Sequence, residues 1–272
     1  MPNQTQPHTY SVFGATDFHT SSFFDVVRTH APHALSSLAS LTDDASLHTY
    51  SVDGTTVLAL VFAGGVVIAG DRRATSGHLI ARSDMRKVFP ADAYSAVAIS
   101  GAAGPATDLA KLFATELEHY EKVEGHTLSL DGRATKLASM VRAHLPLLMR
   151  GLVVVPLFAG YEPEKHVAQI YEYDAVGGKY LATTYAATGS GSLIAKGTLK
   201  RVHRVDVDER GAVATALDAL VDAAEGDSAT SGPDQLRQIF PLIAVIDDEG
   251  YREYADEDVA EIVAEVFDRR QV

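Results

Sequence analysis

Apolar residues in this chain fall into short runs of strand length and longer stretches with a period near 3.6 residues. Thr55–Phe62 reads as a strand, Gly64-Gly65 as a hairpin turn and Val66–Asp71 as the returning strand. Ser95–Ser100 is a third run and ends at Gly101-Ala-Ala-Gly104. Pro105 then stands where a helix can begin, because the N–H it lacks has no helical partner there. Leu109, Leu112, Phe113, Leu117 and Tyr120 follow at helical spacing, with Gly125 just beyond. A second amphipathic helix is expected over 131–148, with Leu137, Met140, Val141, Leu145 and Leu148 on its apolar face and Pro146 bending or ending it. Strands are expected at 152–161, 166–174 and 179–184, with Gly177-Gly178 turning between the last two. Helices fit 192–201 and 210–225, strands fit 241–247 and 250–255, and a final helix fits 257–268 with Val259, Ile262, Val263 and Phe267 on one side.

Strands, two helices, strands, two helices, strands and a helix do not make a repeating βαβ pattern. The expected class is α+β: two antiparallel sheets packed together, with a helical layer outside each. With 46% hydrophobic residues among 272, the chain can fill such a core. Residues 1–54 differ from the rest. They are rich in Ser, Thr, His and Ala, hold five acidic groups against one basic group, and contain five of the 11 histidines. Phe18, Phe23, Phe24, Val26 and Val27 form a candidate docking stretch within a segment of otherwise disorder-like composition.

Charge and cysteine content narrow the chemistry. The formal net charge is −13, with no dense Lys/Arg cluster, so nucleic acid and anionic membranes are poor partners. No run approaches the ~18 apolar residues of a membrane span, the first 30 residues do not resemble a secretion signal, and the cytoplasm is the expected location. Without cysteine there is no disulfide, thiolate nucleophile or cysteine metal site. His-Glu-x-x-His is absent, as is a phosphate loop, so no metal and no cofactor are expected. His78, His119, His126, His144, His166 and His203 read as surface or packing residues.

Asp53-Gly-Thr-Thr56 lies at the change of composition. A threonine hydroxyl needs a base before it attacks a carbonyl. Cleavage before Thr55 would create an α-amine on the same residue, with a reference pKa near 8, so one residue could supply nucleophile and base. Gly54 leaves the backbone free for the tight geometry of such a cut. Alone, a Gly-Thr pair signifies only the start of a strand.

The wider pattern resembles the catalytic β subunit of the 20S proteasome, in particular the actinobacterial form. The resemblance runs through 55–272 and rests on Gly54-Thr-Thr-Val57, Gly70-Asp-Arg-Arg-Ala-Thr-Ser-Gly77, Lys87, Ser100-Gly-Ala-Ala-Gly104, Gly189-Ser-Gly191 and Asp227-Ser-Ala-Thr-Ser-Gly232. It implies the amino-terminal-nucleophile hydrolase fold, a four-layer αββα sandwich, with 1–54 as a self-removed propeptide and 55–272 as the mature domain. Thr55 then matches the nucleophile, with Asp71 and Lys87 beside it and Ser190, Asp227 and Thr230 completing the proton network. Many relatives carry serine where this chain has Thr230, and Ser231 next door is the alternative source of that hydroxyl. Gly101 matches an oxyanion N–H donor. Thr75 and Ala103 match backbone positions that hold an extended peptide. Arg73 matches a supporting basic position, or else pairs at a subunit contact. Ala74, Met85, Phe89, Ile99, Ala103 and Thr107 match an apolar specificity pocket, with Phe89 and Ile99 also readable as core.

The resemblance further implies cleavage after hydrophobic residues, two stacked heptameric β rings, flanking α rings and an ATPase unfoldase. Substrates would be unfolded proteins or peptides, some tagged by a small conjugated protein. The alternatives are a related peptidase or amidase outside a four-ring particle, a noncatalytic β subunit, and a binding module.

Overall fold

The computed structural model describes residues 52–270. The expected propeptide, including the Phe-rich stretch at 18–27, lies outside the described residues up to residue 51.

The fold is an αββα sandwich of two five-stranded antiparallel sheets. The first is built on a hairpin of β2 (Thr56–Phe62) and β3 (Gly65–Gly70), with Phe62 opposite Gly65, so the turn is Ala63-Gly64, one residue earlier than the expected Gly64-Gly65. β11 (Tyr185–Gly189) flanks β2, β12 (Leu242–Asp247) flanks β3, and β13 (Gly250–Glu253) closes the far edge. The second sheet runs β10 (Lys179–Ala182), β9 (Val167–Tyr173), β8 (Val154–Glu162), β7 (Ser95–Gly101), β6 (Val88–Asp92). A smaller sheet pairs β1 (Val52–Asp53), β4 (Ala74–Ser76) and β5 (Leu79–Arg82).

Alternate side chains of a strand face opposite ways, and three apolar clusters show where they go. Val57, Ala59, Val66 and Ile68 meet Ala96, Ala98, Leu157 and Ile170 between the sheets. Leu58, Leu60 and Val67 point outward against α4 (Ser192–Val202), α5 (Glu209–Gly226) and α6 (Asp256–Arg270). On the other side Val97, Ile99 and Phe158 pack on α1 (Ala103–Glu124) and α2 (Leu130–Ala143). Both faces of each central strand are therefore apolar, which is why β2 reads as a continuous run. Each fully buried leucine or isoleucine contributes roughly 1.5–3 kcal/mol. Ion pairs tie the elements together: Glu116 with Lys136 at 2.7 Å joins α1 to α2 within one layer, and Arg133 with Asp92 at 2.9 Å (α2 to β6) and Lys196 with Glu172 at 2.5 Å (α4 to β9) join helices to a sheet.

The structure corrects the second helix. It ends at Ala143, and α3 (Leu145–Leu148) follows as a single turn with Pro146 at its start. A proline inside α2 would remove an N–H and press its ring on the carbonyl one turn back. The break rotates the face, so Leu145 is 38% exposed and Leu147 turns inward instead. The expected strand at 179–184 is β10, ending at Ala182, and a further strand that was not expected, β11, follows at Tyr185–Gly189. β10 belongs to the second sheet, and after Thr183-Thr184 the chain crosses to enter the first as β11. Among the described residues no helix is long and apolar enough to cross a membrane.

Candidate active site

The antiparallel pairing of β11 with β2 sets Gly189 opposite Thr56 and delivers the next residue, Ser190, to Thr55. The Ser190 N–H donates to the Thr55 carbonyl at 2.9 Å. Gly189 has φ +103°, and a Cβ there would lie 1.9 Å from that carbonyl oxygen. Only glycine permits so close an approach. Thr55 is buried, and its N–H lies 3.4 Å from the Ser190 Oγ.

β3 ends at Gly70, and the following Asp71 turns into the same space. Its carboxylate accepts from the Thr56 N–H at 2.8 Å and Lys87 Nζ at 2.6 Å through one oxygen. The other oxygen accepts from Arg73 N–H at 2.8 Å, Ser231 N–H at 3.0 Å and Ser231 Oγ at 3.3 Å. The Lys87 side chain, just before β6, is 1% exposed. Its Nζ also donates to the Arg73 carbonyl and, at 3.4 Å, to the Gly54 carbonyl. Burial is the largest influence on Lys87 and pulls its pKa below the ordinary lysine value, although the Asp71 charge and hydrogen bond pull the other way. A buried pair of this kind is worth little in net stability but is costly to break.

A second carboxylate stands on the opposite flank. α5 stops at Gly226, and Asp227 accepts hydrogen bonds from Ser190 Oγ at 2.5 Å and Thr230 Oγ1 at 2.6 Å. Burial pushes Asp227 up, but these hydroxyls, the Ala229 N–H and the Lys87 charge outweigh it and hold the carboxyl below its usual range. Arg73 fastens this loop to the Asp71 segment through the carbonyls of Ser228 at 2.9 Å and Thr230 at 3.2 Å. Thr230 and Ser231 lie on different carboxylates. Thr230 serves Asp227, and Ser231 serves Asp71.

Gly54 precedes Thr55 with φ +118°, and a Cβ would lie 2.5 Å from both Ala229 Cβ and Thr75 Oγ1. Thr55 Oγ1 donates to the Gly54 carbonyl at 2.6 Å. Upstream, β1 pairs with β4, Asp53 opposite Thr75 and Val52 opposite Ser76. Val52 and Asp53 thus lie as an added strand beside Thr75, one of the two residues expected to hold peptide. Gly101 ends β7 with φ +108°, where a Cβ would be 2.1 Å from the Val153 carbonyl oxygen. The cluster's hydrogen bonds among the described residues do not include Gly101 or Ala103.

Of the expected pocket residues, Ala74 is buried at the start of β4, and Met85 is half-buried with its N–H on the Arg72 carbonyl at 2.9 Å. Ile99 is buried and Phe89 half-buried in the cluster under α1 and α2, so both have core roles. Ala103 and Thr107 share the first turns of α1, the Thr107 hydroxyl donating to the Ala103 carbonyl at 2.9 Å.

One residue of the cluster escaped the sequence reading. Thr56 places its amide on Asp71 and its hydroxyl 2.6 Å from Thr230 Oγ1. Ser231, offered by the sequence as the alternative to Thr230, accepts the Arg72 N–H at 3.2 Å and places its own hydroxyl 3.3 Å from Asp71 Oδ2. The available signal for Thr56 is its place next to Thr55 at the start of β2, because successive residues of a strand point to opposite sides. Among the described residues no group of three or more His, Asp or Glu is placed to hold a metal. The arrangement can supply a hydroxyl beside an ammonium–carboxylate pair, and a second carboxylate to orient a serine at the threonine nitrogen.

The family model described as "Proteasome subunit" matches residues 52–237. The chain is 48% identical over 251 residues to the "Proteasome subunit beta" of Streptomyces griseus, covering 92% of this chain and 89% of that one. It is 54% identical over 223 residues to the protein of the same name from Acidimicrobium ferrooxidans, covering 82% of each. It is 47% identical over 248 residues to that of Frankia alni, covering 91% and 90%.

Proposed function

The chain belongs to the proteasome subunit family, and from that premise we propose that it is a catalytic β subunit, a threonine endopeptidase made as a precursor and cut between Gly54 and Thr55. The observation that carries the reading is the Thr55 hydroxyl. It lies 2.6 Å from the oxygen of its own preceding carbonyl, with the Lys87 ammonium 3.4 Å from that oxygen.

In the proposed self-cleavage the Thr55 Oγ attacks the Gly54 carbonyl carbon. The Gly54–Thr55 C–N bond breaks and the acyl group moves to Oγ as an ester, and water hydrolyses the ester. Residues 1–54 leave with a new carboxylate, and Thr55 keeps a free α-amine. In peptide hydrolysis that amine takes the Oγ proton and later protonates the leaving amine. Lys87, held by Asp71, lowers the cost of the developing alkoxide. Ser190 and Asp227 orient the amine. Gly101 supplies an oxyanion N–H, and Thr75 and Ala103 hold the peptide backbone, as β1 lies on β4 before the cut. Gly54 is suited to the scissile position because no Cβ fits there.

The proposed assembly is two stacked heptameric β rings between α rings, fed by an ATPase unfoldase and acting in the cytoplasm on unfolded or tagged proteins. Ala74, Met85, Phe89, Ile99, Ala103 and Thr107 would line an uncharged first pocket. The test is turnover of fluorogenic peptides by the full chain co-expressed with its α partner. Peptides with a hydrophobic residue before the cut should turn over at least about 10-fold faster than those with an acidic residue, since burying an unpaired charge in such a pocket is costly. Equal or reversed rates would contradict the pocket. Absence of turnover from fully assembled particles would contradict the enzyme.

The lowered pKa of Lys87 gives a second test. Before the cut, residue 55 has an amide and no amine, so the alkaline limb of self-processing reports Lys87. The ammonium is the useful form, and the rate should fall as the pH rises through a value below the ordinary lysine range. Processing half-times across a pH series, read by intact mass, check this. A rate still climbing within the ordinary lysine range would contradict an ammonium role.

A further inference from the structure

We propose that Thr56 is a positioning residue for this hydrolysis, its hydroxyl fixing the direction of a hydrogen-bond chain that ends on Asp227 and Ser190. The inference rests on the proposed peptidase reading and assigns Thr56 a task beyond beginning β2.

The proton positions follow from counting. The Gly191 N–H donates to Thr56 Oγ1 at 2.9 Å. Thr230 Oγ1 lies 2.6 Å from Asp227 Oδ2, and an ionised carboxylate only accepts, so the single Thr230 proton is used there. The 2.6 Å contact between Thr56 Oγ1 and Thr230 Oγ1 must then carry the Thr56 proton. The chain runs one way, from Gly191 N–H through Thr56 and Thr230 to Asp227. Asp227 Oδ2 also receives Ser190 Oγ at 2.5 Å, and Ser190 Oγ lies 3.4 Å from the Thr55 nitrogen. Thr56 therefore stands three hydrogen bonds from the serine that faces the future amine.

The surroundings leave this hydroxyl no other use. Thr56 is 0% exposed, so water offers no substitute partner. A Cβ at Gly191 would lie 2.6 Å from Thr56 Oγ1 and 2.9 Å from Thr230 Oγ1, so the backbone closes tightly over both hydroxyls. Consecutive hydrogen bonds polarise one another, and donors to a carboxylate favour its ionised form. The charged groups facing the Asp227 loop are Asp71 and Arg73 from the segment after β3 and Lys87 from before β6. Loss of the Thr56 hydroxyl leaves these in place and frees the Thr230 hydroxyl to turn from Oδ2. Asp227 then becomes more basic, and the more localised charge raises the pKa of the neighbouring amine. Both effects move the acid limb of turnover in the same direction, to higher pH.

The test compares wild type with Thr56→Val and Thr56→Ser in the full chain co-expressed with its α partner, using a hydrophobic fluorogenic peptide. Thr56→Val should lower kcat/KM about 10-fold and move its acid limb upward by about half a pH unit or more. Thr56→Ser should restore both. Thr230→Val, which cuts the next link, should give the same upward shift, and the double variant should add little to either single one. If Thr56→Val does not fold, judged by its thermal transition, Thr56→Ala takes its place. An unmoved acid limb, additive effects in the double variant, or a Thr56→Ser as impaired as Thr56→Val would overturn the inference while leaving wild-type turnover intact. Fully assembled wild-type particles without turnover would instead overturn the peptidase reading and this inference with it.

Discussion

Thr55→Ala is expected to remain joined to residues 1–54 and to lose peptide turnover by roughly 10⁴-fold or more. The substitution removes Oγ, the atom proposed to attack both the Gly54 carbonyl and a peptide substrate. Little else changes. The Thr55 carbonyl still accepts the Ser190 N–H at 2.9 Å, and the Thr56 amide still donates to Asp71 at 2.8 Å. The fold should therefore survive, and the variant should assemble with a thermal transition close to wild type. Thr55→Ser restores a hydroxyl and should restore cutting at the same bond. Intact mass and turnover of the same particles check both variants. Normal cutting before residue 55 in Thr55→Ala would show that another protease or another residue makes the cut.

Lys87→Ala should slow turnover by about 10²–10³-fold or more, the range for removing a group that stabilises developing negative charge. Here a loss of stability must be kept apart from a loss of chemistry. Lys87 is among the largest fully buried side chains, and its removal leaves a void and an Asp71 carboxylate without its cation. Breaking a buried pair from one side costs about 3–5 kcal/mol. Asp71 keeps the N–H groups of Thr56, Arg73 and Ser231, so the cost should fall toward the lower end. Lys87→Met fills most of the volume without the charge. If the ammonium is needed, Lys87→Met should be as inactive as Lys87→Ala while melting higher. Assembled Lys87→Met particles with wild-type turnover would remove Lys87 from the mechanism.

Much of the architecture was legible because its signals are local. The hairpin turn at Gly64, read one residue late, the stop at Gly125 and the long apolar runs of β2, β7 and β12 depend on neighbours in sequence. The hidden parts depend on partners far along the chain. β4 to β6 are short, β5 is wholly exposed, and Pro90 interrupts β6, so no periodicity announces them. The crossing from β10 to β11 is a choice between two sheets, which strand propensity cannot express. The break before Pro146 was foreseen, but its consequence for Leu145 and Leu147 was not, since one lost residue of helix rotates the apolar face by about 100°.

The site shows the same division. Thr55, Asp71 and Lys87 stand out once the family pattern is seen, and they meet in space. Their bonding was not legible. Asp71 and Asp227 read alike as single acids, and only the packing of the 227–231 loop against β2 decides which hydroxyl each receives. Thr56 was passed over because it continues a strand, where its side chain has an ordinary structural explanation. Gly189 carried a motif in the sequence, but its reason, a carbonyl oxygen 1.9 Å from where a Cβ would stand, is visible only in three dimensions.

The central claim is that one residue, Thr55, becomes both nucleophile and base when the chain ahead of it is removed. Its most direct test is the intact mass of the β subunit in active particles, recorded before and after treatment with an electrophile that traps a nucleophile with an adjacent amine. The account predicts a chain beginning at Thr55, free of residues 1–54, and a single adduct per subunit that maps to Thr55. Active particles whose β subunit begins elsewhere, or whose adduct maps to another residue, would contradict it.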